Sequence, residues 1–523
     1  MLTPHRSVAI LIFPAIAYLG AACERTDTPT EARLMASLAG PARLLVDDDL
    51  VQCPTAQYMS IQAAVNDAQP GDHIDVCPGT YTEEVTISGA VKNNIALRSV
   101  QRWQAVIKAP ALMLGPTKAI VRVNGAHGVT ILAFTITGPS NTLVYGVRVD
   151  DDGSADILGN HITQISDDPL SGDQSGVAVQ VGRWIEGTTG SARIVGNVID
   201  NYQKNGVTVD NEGSHADVAH NRVFGIGPTT ITAQNGIQAS RGATAEIRHN
   251  FVSGNVYSPG TVASTGVLLY GSGAAVTEHN TLNSNDVGAY MFDFVFENAS
   301  CGTAAGSTTA YNRARASTFD GIIVSGFSPC LATDVHVAHN KSDQNRGPGI
   351  GVYDAKQSAF DNNRAEGNQD SGILLGDVSD LSVANNNTVG DNNVRNNGSG
   401  DNDMTDGIRI NAVSAGNTVH DNHLRDNVTH DCYDGGTGNM WVNNHGETSQ
   451  PPGLCGRDDN DADFETSTVY GWDAAYPWYD AFDVAADFDW AAAYATIDTE
   501  SLLQLVPAVR TGGIRRSRPS PNQ

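Results

Sequence analysis

Four histidines stand directly before an asparagine along the middle of the chain: His220, His249, His279 and His339. Imidazole nitrogens bind Zn²⁺ and other transition metals, and histidines on neighbouring turns of a repeat could share an ion. However, Tyr311 interrupts the series, and no Cys, Met or carboxylate accompanies the histidines at ligand spacing. We therefore expect these histidines to have a structural role, and we predict no metal site among them.

A second group of polar residues has the types that acid–base chemistry requires. Arg148 and Lys204 are cations that could act as bases, and Asp150 and Asp210 could act as general acids or bases. These four are the candidate catalytic residues, with Gln238 as a polar neighbour that could bind a substrate. The alternative is that each is a single charge on a solvated surface.

Runs of acidic residues raise the question of Ca²⁺, which prefers carboxylate and carbonyl oxygens. Asp150, Asp151 and Asp152 are consecutive at the end of an apolar alternation, and Ca²⁺ is therefore the candidate cofactor. Three acids at the end of a strand also commonly form a turn. The same two interpretations apply to four aspartates near the entry to later strands: Asp286, Asp320, Asp370 and Asp406.

These residues sit within a repeat of short apolar strands punctuated by Gly and Asn. Stretches such as "NGVTV", "NGIQA" and "TGVLL" recur, and the first five repeat glycines are spaced by 30 residues: Gly146, Gly176, Gly206, Gly236 and Gly266. Without insertions the coil is about 23 residues long. A short repeat of strands predicts a solenoid, because each coil buries the apolar face of its neighbour.

The repeat resembles the right-handed parallel β-helix of the pectin-lyase-like superfamily, with units similar to those of the NosD and carbohydrate-binding β-helix groups. The resemblance covers residues 46–445. It implies an all-β fold, a single-stranded right-handed parallel β-helix solenoid of about ten coils. The opening "SIQAAVND" predicts an N-terminal capping helix with Ile61, Ala64, Val65 and Ala68 on its apolar face. "DCYDGGTGNMWVNNHGETSQPPGLC" resembles a disulfide-closed C-terminal cap.

The repeat asparagines are expected to stack as an amide ladder at one corner of the coils. They are Asn160, Asn197, Asn221, Asn250, Asn280, Asn312, Asn340, Asn363, Asn387 and Asn422. The residues before them are mostly Gly, His, Asn and Asp, types enriched at positive φ, which suggests a left-handed turn. The histidines are thus interpreted as turn formers.

The alternation predicts that ten pairs of side chains align on the outer face of the long strands and face solvent. They are Arg148/Asp150, Ala178/Gln180, Thr208/Asp210, Gln238/Ser240, Leu268/Tyr270, Tyr290/Phe292, Ile323/Ser325, Gly351/Tyr353, Leu374/Gly376 and Arg409/Asn411. The resemblance implies that a polysaccharide binds on this face. The candidate aromatic contacts are Tyr270, Tyr290, Phe292 and Tyr353, which could instead be covered by protein.

The two ends of the chain have compositions typical of an export signal and of a C-terminal tail. Residues 1–22 are expected to be a signal peptide, residues 23–45 a polar linker, residues 446–506 a cap with an aromatic and acidic segment, and residues 507–523 a disordered basic tail. Cys23 could carry a lipid, although Gly20 replaces the usual Leu of a lipoprotein signal. The remaining cysteines are expected to pair as Cys53 with Cys77, Cys301 with Cys330, and Cys432 with Cys455.

The charge of −27 argues against nucleic-acid binding. From the sequence we expect a monomeric, exported and lipid-anchored or secreted protein that binds polysaccharide. The resemblance implies lyase or epimerase chemistry on acidic glycans as one option, but the catalytic motifs of mannuronan epimerases and polygalacturonases are missing. The alternative is a non-catalytic structural or adhesin-like surface solenoid, followed by metal handling of the NosD kind.

Overall fold

The computed structural model describes residues 41–295, 300–377, 381–400 and 404–457. Almost all of its regular structure is β-strand, arranged in three long parallel sheets of 14, 15 and 13 strands, which we name sheets 1, 2 and 3. The expected signal peptide, Cys23, the aromatic and acidic segment and the basic tail lie outside the described residues. No helix among the described residues has the length and apolar character that a membrane span requires.

Sheet 1 contains the long strands of the repeat. Its strands are Val85–Ser88, Ala119–Asn124, Tyr145–Asp150, Val177–Val181, Asn205–Asp210, Asn235–Ser240, Thr265–Tyr270, Val287–Phe292, Ile322–Ser325, Ile350–Tyr353, Ile373–Leu375, Ile408–Ile410, Cys432–Asp434 and Ser449–Gln450.

Sheet 2 follows sheet 1 in each coil. Its strands are Arg43–Val46, His73–Val76, Ala96–Ser99, Val129–Leu132, Gly153–Leu158, Gly190–Val195, His215–Ala219, Thr244–Arg248, Val276–Glu278, Thr308–Ala310, His336–Ala338, Ala359–Asp361, Thr388–Gly390, Thr418–His420 and Met440–Val442.

Sheet 3 completes the coil. Its strands are Gly79–Thr82, Ala105–Lys108, Thr135–Thr137, His161–Thr163, Val198–Asp200, Arg222–Phe224, Phe251–Ser253, Thr281–Asn283, Arg313–Arg315, Lys341–Asp343, Arg364–Glu366, Asn393–Arg395 and His423–Arg425.

Several smaller elements lie outside the three long sheets. An α-helix spans Ile61–Asp67, and two 3₁₀ turns span Ala90–Lys92 and Trp184–Glu186. An antiparallel hairpin pairs Phe294–Val295 with Cys301–Gly302, and a three-stranded sheet contains Ala332–Thr333, Ala355–Lys356 and Ala384–Asn385.

Each strand pairs in parallel with the equivalent strand of the next coil, as in Val147 beside Val179 and Val179 beside Val207. These valines are fully buried in one continuous core that fills the interior of the coils. The solenoid prediction is confirmed, but 13 strands in sheet 3 show that about ten coils was too low a number. The first coils were missed because their strands, such as Val85–Ser88, lack the Gly-led pattern.

The helix Ile61–Asp67 has the apolar face expected of the N-terminal capping helix. Ile61, Ala64, Val65 and Ala68 are buried in the common core. The Ser60 hydroxyl accepts a hydrogen bond from the Ala63 N–H at 3.2 Å, which caps the first turn.

The asparagine ladder forms, with one correction to its membership. Each buried side-chain oxygen accepts hydrogen bonds from the backbone N–H and the amide of the preceding asparagine, as Asn280 does from Asn250 at 2.9 and 3.0 Å. From Asn160 the ladder continues through Asn363 to Asn392, Asn422 and Asn444. Asn387 instead joins a separate ladder with Asn417 and Asn439. The sequence period could not separate the two, because both corners of a coil carry Asn.

The histidines before the ladder occupy the predicted turn position. His220, His249, His279 and His339 all have φ between 54° and 57°, and Tyr311 has φ 57°. Their rings stack face to face, with centroids 5.0 Å apart for His220 and His249. Burial and the neighbouring His220 and His279 lower the pKa of His249 to about 4. These observations fit a stack of turn formers.

Three disulfides join the expected cysteines: Cys53–Cys77, Cys301–Cys330 and Cys432–Cys455. The first closes the N-terminal end, the second joins two loops beside sheet 1, and the third ties the last coils. Disulfides persist in oxidising compartments, so the three bridges favour an extracytoplasmic location.

Candidate functional site

The outer face of sheet 1 carries the residues for which the sequence predicts chemistry. The strand register places nine of the ten predicted pairs in two continuous columns, for example Gln238 beside Leu268 and Leu268 beside Tyr290. The pair Ala178/Gln180 is shifted by two residues, because Arg148 lies beside Gln180 rather than Ala178. Gly176 lies just before its strand and is not equivalent to Gly146.

The expectation that the polar half of this face is open to solvent is wrong. Arg148, Asp150 and Asp210 are 0%, 0% and 1% exposed. The 3₁₀ turn Trp184–Glu186 lies over them, because the Trp184 N–H donates to Asp210 Oδ2 at 2.9 Å and Glu186 accepts hydrogen bonds from Arg148. Alternation along a strand indicates which side chains point outward, but it does not reveal a loop that covers them.

Arg148 is the centre of a buried ionic network. Its Nε lies 2.6 Å from Asp150 Oδ2, and its Nη1 donates to Glu186 Oε1 at 3.1 Å. Burial favours the neutral form, but the hydrogen bond to Glu186 and the charge of Asp150 outweigh it and raise the pKa of Arg148. The charged form of the guanidinium is therefore favoured in this arrangement.

The other predicted catalytic residues also have protein partners. Asp150 accepts a hydrogen bond from Arg122 Nη2 at 2.9 Å, and Asp210 accepts one from Arg241 Nη1 at 3.0 Å. Lys204 Nζ donates to the Ala233 carbonyl at 2.7 Å, and burial lowers its pKa. A catalytic role for these residues stays a prediction. The geometry shows a network that fastens a loop onto the sheet.

We expect Arg148→Met to lower the free energy of unfolding by about 3 kcal/mol. Removing one partner of a buried ion pair leaves the other charge, here that of Asp150, buried without that partner. Asp150 keeps Arg122 and Asn124 as partners, which limits the loss. Urea unfolding followed by circular dichroism measures the effect. Glu186→Gln is the matched control, because Glu186 is the exposed member of the same ionic network. Its expected loss of stability is about 1 kcal/mol or less. Equal stability of Arg148→Met and the parent chain would contradict a structural role.

Gln238 and the middle aromatics, predicted to bind substrate, also engage other parts of the chain. Gln238 Oε1 accepts from Asn205 Nδ2 at 3.0 Å, and its amide donates to Ser240 at 3.1 Å. Tyr270 stacks on Phe294 with centroids 3.9 Å apart. Phe294 comes from the antiparallel hairpin, so this part of the aromatic face is covered by protein.

A tyrosine–aspartate pair that the sequence did not single out lies further along the face. Tyr353 Oη donates to Asp320 Oδ2 at 2.7 Å, across 33 residues of sequence. The pair fits only because residue 351 is glycine: a Cβ there would lie 2.1 Å from Asp320 Oδ2 and 2.5 Å from Tyr353 Oη. From the sequence, Asp320 is only one of four acids near the entry to strands, and Tyr353 is only a candidate aromatic contact.

The surroundings of this pair shift its proton affinity strongly. Burial, assisted by the nearby charge of Asp370, raises the pKa of Asp320 to about 7, although the hydrogen bond from Tyr353 opposes the rise. Burial and Asp320 hold the pKa of Tyr353 well above its ordinary value. Burial also raises the pKa of the neighbouring Tyr290 to about 12. Shifts of this kind cluster at functional sites.

A cleft of about 470 Å³ is lined by Phe319, the chain neighbour of Asp320, while Asp320 and Tyr353 themselves lie behind its wall. Its wall contains Asp370, whose charge acts on both Asp320 and Tyr353. Phe319 and Tyr257 supply partly exposed aromatic rings, and Arg346 supplies an exposed cation. In the described ranges Arg346 forms no salt bridge, so its guanidinium can meet an anionic ligand.

A second cleft of about 620 Å³ lies on the other side of sheet 1, beside the hairpin that holds Cys301. Arg241 packs there over the rings of Trp184 and Tyr270, with its guanidinium 5.5 and 5.6 Å from their centroids. Because Arg241 also pairs with Asp210, this cleft has a less available cation than the first.

The predicted Ca²⁺ ligands do not converge. Asp150 faces Arg122 and Arg148, the Asp151 carboxylate accepts from Asn124, and Asp152 accepts from Thr189. Within the part of the chain that the structure describes, Asp47, Asp48 and Asp49 form the one acidic or histidine group with three ligand atoms within 4.8 Å of one another. Asp47 and Asp48 already accept backbone N–H groups of Cys53 and Thr80.

Residues 265–445 match a family model described as a right handed beta helix region. No curated protein matches the sequence. Similar solved structures include a periplasmic alginate epimerase, with 13% identity and a TM-score of 0.43 over 73% of this chain and 84% of that chain. An alginate lyase has 14% identity and a TM-score of 0.49 over 74% and 85%. An α-1,3-glucanase from Streptomyces thermodiastaticus has 15% identity and a TM-score of 0.40 over 79% and 70%.

Identities of this size concern the fold alone, so the assignment comes from the family match and from the three parallel sheets themselves. The coils of the described chain form a right-handed parallel β-helix.

Proposed function

We propose that this chain is an exported β-helix protein that binds an acidic polysaccharide on sheet 1 and transfers a proton at a uronate residue, as a lyase or an epimerase does. The observation that carries this proposal is the Asp320–Tyr353 pair. A carboxyl group with a pKa of about 7 is poised to gain or lose a proton at neutral pH. The similar alginate-acting proteins are consistent with this class of substrate.

The cleft beside the pair fits the substrate class by its chemistry. Phe319 and Tyr257 offer rings on which a sugar can stack, and Arg346 offers a cation for the uronate carboxylate. Neutralising that carboxylate makes the neighbouring C5–H more acidic, which lowers the barrier for proton abstraction.

The proposed chemistry follows from the hydrogen bond within the pair. Ionised Asp320 accepts the phenol proton, and the Tyr353 oxygen takes the C5 proton of the uronate. The C4–O bond then breaks with its electron pair and the leaving oxygen takes a proton from solvent, which gives an unsaturated sugar. Delivery of a solvent proton to the opposite face of C5 gives the epimer instead, and in both cases Asp320 returns its proton to solvent. Tyr353 would be the catalytic residue that touches the sugar, and Asp320 would act through it.

A substrate screen tests the proposal. The full-length chain is incubated with alginate, polygalacturonate, chondroitin and neutral glycans, with and without Ca²⁺. Unsaturated-product absorbance reports elimination, and deuterium exchange at C5 reports epimerisation. Turnover of a uronate polymer that is lost in Tyr353→Phe supports the assignment. Turnover that survives Tyr353→Phe but disappears in Asp150→Ala/Asp210→Ala would instead favour the residues predicted from the sequence. Silence in both assays would favour a non-catalytic surface solenoid.

Arg346→Gln is expected to raise KM for a uronate oligosaccharide about 10-fold or more with a smaller change in kcat, because the guanidinium binds a carboxylate present before and during the reaction. Steady-state kinetics measure the split. Arg193→Gln, a surface cation of sheet 2 paired with Asp156, is the matched control and should leave KM unchanged. An unchanged KM for Arg346→Gln would remove this cation from the proposed site.

A further inference from the structure

The outer face of sheet 3 carries a concentration of cations that the acidic composition does not predict. Five consecutive strands present six basic side chains and two carboxylates in a chain that has 31 basic and 58 acidic residues overall. We name the six the cationic stripe: Arg313, Arg315, Lys341, Arg364, Arg395 and Arg425.

The strand register brings like charges together along the axis. Arg313 lies directly beside Lys341, and Lys341 lies directly beside Arg364. Neighbouring strands are about 4.8 Å apart, and like charges in directly opposed positions destabilise a sheet. Burial, together with Arg313 and Arg364, lowers the pKa of Lys341. Such a column lowers the stability of the folded chain, and we therefore expect it to bind an external anion.

The carboxylates within the stripe are too few to neutralise it. Asp343 is shared, with Arg313 Nε at 3.2 Å and Lys341 Nζ at 3.9 Å, and it also lies 3.7 Å from Arg315. Glu366 is shared between Arg364 and Arg395 at 2.7 and 2.8 Å.

The acids around the stripe lie at its margins. Asp426 pairs with Arg425 from the adjoining turn at 3.1 Å, and Asp361 at the end of a sheet 2 strand pairs with His336. His423 continues the column beside Asn393.

A polar acceptor inside the column indicates the kind of anion. Asn393 lies between Arg364 and His423; its side chain is partly exposed, but its Oδ1 points away from solvent and has no hydrogen-bond partner, so the amide must turn outward to meet an external donor. A buried acceptor without a donor is costly unless a ligand supplies one. A polymer with both carboxylates and hydroxyl groups would satisfy the cations and the amide together.

We propose that the cationic stripe of sheet 3 is a second binding surface, which holds a linear carboxylated polysaccharide along the axis, with carboxylates on Arg313, Lys341 and Arg364 and a hydroxyl donating to Asn393 Oδ1. This surface lies on a different sheet from the proposed acid–base pair and requires no turnover there. Its role is retention of a long polymer rather than chemistry.

The test compares two full-length variants with the same loss of charge. Arg313→Ser/Lys341→Ser/Arg364→Ser removes the centre of the stripe, and Lys108→Ser/Arg193→Ser/Lys356→Ser removes three cations elsewhere. Binding to immobilised polygalacturonate is measured between about 50 and 200 mM salt. We expect the stripe variant to lose about 10-fold or more in affinity at low salt and the control to lose about 2-fold or less. Equal losses would overturn the proposal.

A second experiment tests whether the bound polymer is a polysaccharide. Asn393→Leu should weaken binding to polygalacturonate several-fold and leave binding to polyglutamate, a carboxylated polymer without hydroxyl groups, unchanged. Equal binding of both polymers, with no effect of Asn393→Leu, would overturn the assignment to a polysaccharide. Asp320→Asn should strongly lower turnover and leave the stripe-dependent affinity intact, so a failure of this proposal is distinguishable from a failure of the proposed function.

Discussion

Asp320→Asn should lower turnover of a uronate polymer by about 10²-fold to 10⁴-fold, the usual contribution of general acid–base groups. Asparagine can still accept the hydrogen bond from Tyr353, but it cannot take up the phenol proton. Asp156→Asn, on the outer face of sheet 2, is the matched control and should retain parental activity. Initial rates of unsaturated-product formation or of C5 exchange provide the measurement.

The pH dependence of the same reaction follows from the raised pKa of Asp320. Because the ionised carboxylate is the proton acceptor, kcat should increase as pH rises through about 7 and then level off. A rate that falls over this range would show that the protonated form acts and would reverse the assigned direction of proton transfer.

The raised pKa of Asp320 can also be tested without a substrate, through the pH dependence of the free energy of unfolding. The unfolded carboxyl titrates near 3.8 and the folded one near 7, so the folded state binds the proton more tightly. The contribution of Asp320 is most favourable below pH 3.8 and is lost as pH rises towards 7. Asp320→Asn should therefore gain stability relative to the parent chain between pH 4 and pH 7. Parallel stability curves for the two chains would contradict a raised pKa.

Asn280→Ala should lower the free energy of unfolding by about 3 kcal/mol, because buried groups left without partners cost about 1–3 kcal/mol each. Asn280 is fully buried, accepts two hydrogen bonds from Asn250, and donates to the Ile247 carbonyl at 2.8 Å. The substitution leaves the Asn250 N–H without its acceptor and interrupts the ladder in the middle of the solenoid.

Thermal and urea unfolding measure the change in the Asn280 variant. Asn283→Ala is the matched control, since Asn283 lies at a partly exposed position of the same coil and should cost about 0.5 kcal/mol or less. Similar losses for the two variants would show that the ladder does not contribute the stability assigned to it.

The sequence by itself determined the repeat and its corners. Gly and Asn recur because turn positions require positive φ and because stacked amides satisfy one another, and both requirements are local. The strand columns, the apolar face of the N-terminal helix and the turn role of His220, His249 and His279 followed from that pattern. The cysteine pairs followed from the neighbourhood of the residues in the chain.

The tertiary structure alone decided which outward side chains are covered. Alternation predicts that Arg148 and Asp150 point away from the core, but only the folded turn around Glu186 shows that they are buried. Equally, Asp320 and Tyr353 are 33 residues apart, and their hydrogen bond depends on Gly351, which lies in the same strand as Tyr353. Contacts between successive coils depend on the lengths of the intervening loops, which a repeat pattern does not specify.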